Sequence, residues 1–200
     1  MIVILDRQHY GKPGKNDLGA GADLDGDGKV QDDEREANLT LVYIEAAKQM
    51  LEADGHTVHV LDSGWYSSRH EQAAGIALAN PDDKCAYIAC HLNAGGGDYS
   101  VALYDHRSTG GHKLALSIAA SMASDITAVG RHLAKASSPD EWSNAYNTIK
   151  GIYSGPSNLS GVCFEPVFMD TASHAPLLTT DGLALIGQVL AEGCAAWGRR

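Results

Sequence analysis

Two hydrophobic periods alternate along the chain. Short continuous apolar runs, the mark of buried strands, occur at Ile2–Leu5, Thr57–Leu61, Cys85–Cys90, Val101–Tyr104 and Val162–Glu165. Between them lie longer stretches with apolar residues at helical spacing. The first runs from about Asp33 to Asp54, with Leu39, Val42, Ala46, Met50 and Leu51 on one face and Asp54-Gly55 as its stop. Others are expected over Arg69–Leu78, Lys113–Val129 and Thr180–Trp197, the last capped by Thr179 or Thr180. The stretch 131–159 carries no clear period and reads as loop-rich. Strands alternating with helices predict an α/β fold: a mostly parallel, twisted central sheet flanked by helices, in a single domain over residues 1–200.

Composition narrows the function classes. With 44% hydrophobic and 20% charged residues, the 200-residue chain has the make-up of a soluble globular domain. Its net charge of −10 opposes binding to phosphate backbones, so no nucleic-acid partner is expected. No apolar run is long enough for membrane insertion, and the opening Met1–Asp6 reads as a strand rather than a signal peptide. The product is therefore expected in the cytoplasm where it is made. Neither an internal repeat nor a second domain is visible. Cys85, Cys90, Cys163 and Cys194 form no Cys-x-x-Cys pair and are expected as buried free thiols, with Cys85 and Cys90 on opposite faces of one strand.

The segment Asp23-Leu-Asp-Gly-Asp-Gly-Lys-Val-Gln-Asp-Asp-Glu34 has the spacing of an EF-hand calcium loop. Asp23, Asp25 and Asp27 occupy positions 1, 3 and 5, and Gly28 stands at the sharp turn. Lys29 offers its backbone carbonyl at position 7, Gln31 stands at 9, and Glu34 closes the loop at 12. Calcium takes six to eight oxygen ligands, and this one segment supplies them. No entering helix precedes Asp23, so the unit is a loop plus one helix. A calcium-dependent binding module is the corresponding non-enzymatic reading.

Three strands end in residues able to hold a metal or move a proton: His9 just beyond the first, His91 after the central one and Glu165 at the last. In an open α/β sheet the carboxyl ends of parallel strands are where ligands bind. Two imidazoles with one carboxylate form a zinc donor set that leaves a fourth position open, and a further carboxylate can shuttle a proton. Spacing alone leaves open whether Glu34 or Glu165 is the metal-binding carboxylate.

These residues resemble the zinc-dependent N-acetylmuramoyl-L-alanine amidases of bacterial cell-wall remodelling and phage endolysins. The family's opening Asp-x-Gly-His-Gly-Gly is matched by Asp6-Arg-Gln-His9-Tyr-Gly11. Its Glu ahead of Asn-Leu at a helix start is matched by Glu34-Arg-Glu-Ala-Asn38-Leu39. Its Ser-x-His-x-Asn-Ala is matched by Ala89-Cys-His91-Leu-Asn93-Ala94, and its catalytic-Glu segment by Phe164-Glu165-Pro-Val-Phe168. The order holds from about residue 2 to 197. Gln8 and Tyr10 replace family glycines, Cys90 a serine, and Thr171 an asparagine. The resemblance implies zinc held by His9, Glu34 and His91, and Glu165 as general base and then acid. The bond cut would be the amide joining N-acetylmuramic acid to L-alanine in peptidoglycan. A phage endolysin acting on the wall after release, as a monomer, is the implied setting; another zinc peptidase of wall peptides is the rival enzyme.

Glu34 is claimed by both metals. It can bridge them, serve zinc alone, or belong to calcium; the expectation is a zinc role, with calcium ordering the loop upstream. Glu36, two residues on, would point another way on a continuous helix and is read as a bystander. Calcium then either gates activity by placing Glu34 or acts only as a staple. Contacts with substrate are expected from 131–159. The remaining histidines (His56, His59, His70, His106, His112, His132, His174) are read as surface or structural groups.

Overall fold

A computed structural model describes all 200 residues. A six-stranded sheet forms the centre: β1 (Ile2–Arg7), β2 (Thr57–Leu61), β3 (Cys85–Cys90), β4 (Ser100–Asp105), β5 (His132–Ser137) and β6 (Leu159–Glu165). The spatial order is β2-β1-β3-β6-β4-β5. β2, β1, β3 and β6 run parallel, β4 is antiparallel to β6, and β5 is parallel to β4. The mostly parallel α/β architecture thus matches the periodicity.

Five α-helices cover the sheet: α1 (Glu36–Ala53), α2 (Tyr66–Ala79), α3 (Thr109–Asp125), α4 (Ser143–Tyr153) and α5 (Thr180–Gly198). Side chains alternate across each strand and divide the core in two. Val3, Leu5, Ala86, Ile88, Cys90, Val162 and Phe164 face α1, α3 and α5. Ile2, Ile4, Cys85, Tyr87, Ala89 and Cys163 face α2 and α4. Cys85 and Cys90 lie on opposite faces as expected, and all four cysteines are free and buried. The larger face holds the apolar stripes of α1 and α5, whose backbones approach closely at Gly187. A Cβ there would collide with the Tyr43 carbonyl oxygen and come within 2.7 Å of the Ala46 Cβ. No helix is long and apolar enough to cross a membrane.

Two expectations change. The stretch 131–159 is structured, holding the edge strand β5 and the helix α4. Its signals are weak because β5 is only partly buried and its sequence HLAKAS lacks the β-branched residues that mark strands. Secondly, the first helix is not continuous from Asp33. A 3-10 turn spans Asp32–Glu34, Arg35 is extended (φ −90°, ψ 144°), and α1 starts at Glu36. Ser108 and Thr179 cap α3 and α5 by accepting from the Gly111 and Gly182 amides.

The Gly187→Ala substitution is expected to destabilise the fold by about 1–3 kcal/mol through overpacking of α1 against α5, read as a lowered urea midpoint at unchanged slope.

Candidate metal centre and proton-transfer site

The ends of β1, β3 and β6 are aligned by pairing: Arg7 opposes Cys90, and Cys90 opposes Phe164. His9, His91 and Glu165 are therefore delivered to one edge. The ligand atoms of His9, His91 and Glu36 lie within 4.8 Å of one another. Glu36 sits between the two rings, with Oε1 at 2.8 Å from His91 Nδ1 and Oε2 at 3.6 Å from His9 Nε2. The Leu92 and Ala20 amides donate to the same carboxylate at 3.1 and 3.2 Å. The rings meet edge to face, with centroids 5.1 Å apart.

The carboxylate that joins the imidazoles is thus Glu36, and the expectation for Glu34 is corrected. Glu34 turns its carboxylate back into the acidic loop. Its Oε1 accepts from the Leu24 and Asp25 amides at 2.6 and 3.2 Å, and its Oε2 from the Gln31 amide at 2.9 Å. These backbone donors, that of Gln31 foremost, hold its pKa below the usual carboxylate value. The cause is the break at Arg35, which removes the helical phase that would have set Glu36 aside. A cue was present in the sequence, since a second glutamate, Glu36, stands two residues beyond Glu34.

Electrostatics bind the three donors. Burial pushes the Glu36 carboxyl up, but His91 and His9 outweigh it and leave its pKa lowered. Burial opposes charge on His91, and Glu36 overrides it, raising the imidazole pKa. His91 Nε2 is buried without a hydrogen-bond partner. Two imidazoles, one carboxylate and an unsatisfied ring nitrogen fit a metal ion of the zinc class.

Glu165 lines the same pocket, of about 430 Å3, together with Tyr66 from α2 and Asn144, Asn147 and Thr148 from α4. Asn93 donates to Glu165 Oε2 at 2.6 Å. Burial raises the Glu165 pKa, with His91 opposing and Glu36 reinforcing the shift. A raised carboxyl beside a donor cluster is suited to taking and returning a proton. The segment 131–159 thus contributes pocket wall. His70 and His174 are internal groups: His70 Nε2 is 2.7 Å from the Thr148 carbonyl, and His174 Nδ1 accepts from the Phe168 amide at 2.9 Å.

The loop carrying His9 is clamped from below, a role that sequence reasoning missed. His9 itself has φ +62°, a left-handed conformation that costs a non-glycine residue about 1–2 kcal/mol. Arg69, fully buried on α2, pairs with Asp6 and donates to the Arg7, Tyr10 and Gly64 carbonyls on either side of that loop. Tyr87 and Gln8 also donate to Asp6.

In the acidic loop the Asp23, Asp25 and Asp27 carboxylates lie within 4.8 Å of one another and are exposed. Gly26 and Gly28 take φ +79° and +87°. The amides of Gly26, Asp27 and Gly28 point to Asp23, and that of Lys29 to Asp27 Oδ1. Gln31 Oε1 is buried without a partner. The loop is the tip of a hairpin. Its arms are joined by a bridge between Gly21 and Arg35 and by bonds from the Ala22 amide to Glu34 O (3.4 Å), Glu36 to Ala20 O (2.8 Å) and Ala37 to Leu18 O (3.0 Å).

No protein-family model matches the chain, and no curated relative does. Solved structures share its fold. The chain is similar to the N-acetylmuramoyl-L-alanine amidase AmiC2 of Nostoc punctiforme, with TM-score 0.69 and 18% identity over 100% of this chain and 98% of that one. It is similar to Cwp6 from Clostridium difficile, with TM-score 0.71 and 19% identity over 98% of this chain and 29% of that one. It is also similar to the catalytic domain of the CD27L endolysin, with TM-score 0.62 and 16% identity over 98% and 97% of the two chains. At these identities the likeness is one of fold.

Arg69→Ala is expected to cost about 3–5 kcal/mol, because it leaves Asp6 buried without its cation. Burial already raises the Asp6 pKa, against the opposing Arg69 and Tyr87. The unpaired carboxyl would be raised further above its unfolded value, and a raised acid binds its proton preferentially in the folded state. The penalty should therefore shrink as pH falls through that folded pKa, and urea titrations at neutral and acidic pH check it.

Proposed function

We propose that this chain is a zinc-dependent N-acetylmuramoyl-L-alanine amidase of peptidoglycan, with His9, Glu36 and His91 as the zinc donors. The observation that carries the reading is the convergence of those three groups in one pocket with a second, separate carboxylate, Glu165. The fold shared with solved amidases supports the choice of scissile bond. Zinc, when bound, supplies polarisation of the amide carbonyl and acidification of a water. Glu165 takes the proton from the attacking water as the new C–O bond forms, and returns it to the leaving L-alanine nitrogen as the C–N bond breaks. Asn93 holds Glu165 in place, and the walls from α2 and α4 border the substrate. The proposed setting is that of an endolysin, supported by the fold shared with the CD27L catalytic domain.

Calcium is proposed as the second metal, held by Asp23, Asp25, Asp27, the Lys29 carbonyl, Gln31 and Glu34. The unsatisfied Gln31 Oε1 adds a donor at position 9. In this reading Glu34 belongs to calcium and Glu36 to zinc. Coupling runs through the hairpin, since the bond from Glu36 N to Ala20 O and that from Ala20 N to Glu36 Oε2 lie directly below the loop. Neutralising the clustered carboxylates tightens the loop and fixes the start of α1.

Purified peptidoglycan digested with the chain, zinc and calcium is expected to release new L-alanine amines; a different new terminus would indicate a peptidase, and no product a binding module. Glu165→Ala should lower turnover by at least about 100-fold, with zinc content unchanged by metal analysis. Asp25→Ala should shift the calcium dependence of activity to higher concentration, and full activity at every calcium level would overturn the gating role.

A further inference from the structure

Lys12 and Asp17 take no part in the chemistry above, yet they form a built arrangement behind one donor. Asp17 Oδ1 lies 3.1 Å from His9 Nδ1 and also accepts from the Gly19 amide at 3.1 Å. Asp17 Oδ2 accepts from Lys12 Nζ at 2.7 Å. Lys12 is buried to 7% exposure and is itself braced by α2, with Nζ 3.4 Å from Tyr66 Oη and 4.9 Å from the Tyr66 ring centre. A line of contacts therefore runs from α2 through Lys12 and Asp17 to the outer nitrogen of His9.

We infer that Asp17, anchored by Lys12, is the positioning residue that aims His9 at the metal. The inference rests on the zinc reading of the His9–Glu36–His91 centre. An imidazole offers a metal one lone pair, and the hydrogen bond made by its other nitrogen decides which nitrogen that is. With Asp17 accepting at Nδ1, the proton is fixed there, and Nε2, the nitrogen facing Glu36, presents its lone pair. The carboxylate also makes the ring a better donor. His9 needs this support because its backbone is left-handed at φ +62° and its loop lacks the regular bonding of a strand or helix. His91 has backbone support instead, since its amide bonds to the Phe164 carbonyl at 3.0 Å.

Close packing leaves this bracing little slack. Gly19 has φ +75°, and a Cβ on it would lie 2.6 Å from Glu36 Oε2 and 3.0 Å from His9 Cγ. The segment starting at Asp17 thus touches two of the three donors, and Lys12 balances the extra negative charge that Asp17 brings to them.

The test is zinc affinity of the full chain by competition with a chromophoric chelator, with the visible spectrum of the cobalt-substituted protein as a second readout. Asp17→Ala is expected to weaken zinc about 10–100-fold and to alter the cobalt bands. Asp17→Asn keeps an acceptor for His9 but loses the pair with Lys12, and should fall between, about fivefold or more weaker than wild type. Thermal unfolding of the metal-free proteins separates this from a folding defect, and if the Ala variant does not fold, the Asn variant decides. Zinc affinity within about twofold of wild type, with unchanged cobalt bands, would overturn the inference. Failure of the wild-type chain to bind zinc would overturn the metal reading itself, an outcome distinct from loss in the variants alone.

Discussion

Parallel pairing of β1, β3 and β6 in register is the constraint on which the candidate site depends. Adjacent strands hold their ends level, so the residues following Arg7, Cys90 and Phe164 emerge side by side. The three strands are buried on both faces by aliphatic and small residues, which gives the pairing its stability. The strand ends can therefore carry costly features: a left-handed His9, a nearly buried Glu36–His91 pair and an unsatisfied ring nitrogen. Such features persist where the surroundings over-determine them.

Burial of charge shapes the site more than any single contact. Glu36 and His91 are each disfavoured as ions by desolvation and each restored by the other, so their pKa values move apart from the ordinary ones in opposite directions. Glu165 lacks an equally close cation and is left with a raised pKa. One pocket thus contains two glutamates shifted in opposite directions, Glu36 downward and Glu165 upward. That difference follows from their partners, since the side chains are chemically identical.

The hairpin formed by residues 17–37 joins what looked like two competing motifs. Its tip gathers Asp23, Asp25 and Asp27, with Glu34 accepting from the Leu24 and Asp25 amides, and its stem brings Ala20 and Glu36 to the pocket and Asp17 to His9. The chain places Glu34 and Glu36 on either side of an extended Arg35 and turns their carboxylates to different ends of the hairpin.

Much of this was legible in the sequence because it is local. Apolar runs identified β1, β3 and β6, helical period identified α1 and α5, and the spacing from Asp23 to Glu34 marked a loop whose geometry one segment contains. His9, His91 and Glu165 stood out as strand-end residues. Other features depended on contacts between distant segments. β5 has a weak intrinsic signal and is held by packing on β4. The reversal of β4 beside β6 is a property of pairing, and Arg69 and Asp17 matter only for what the fold brings to them. The sequence by itself determined β1, β3 and β6, the acidic loop and the kinds of polar residue at the strand ends. The tertiary structure alone decided that Glu36 rather than Glu34 meets the imidazoles, because that outcome rests on a backbone break at Arg35 and on the bond from Glu36 N to Ala20 O, neither of which leaves a periodic trace along the chain.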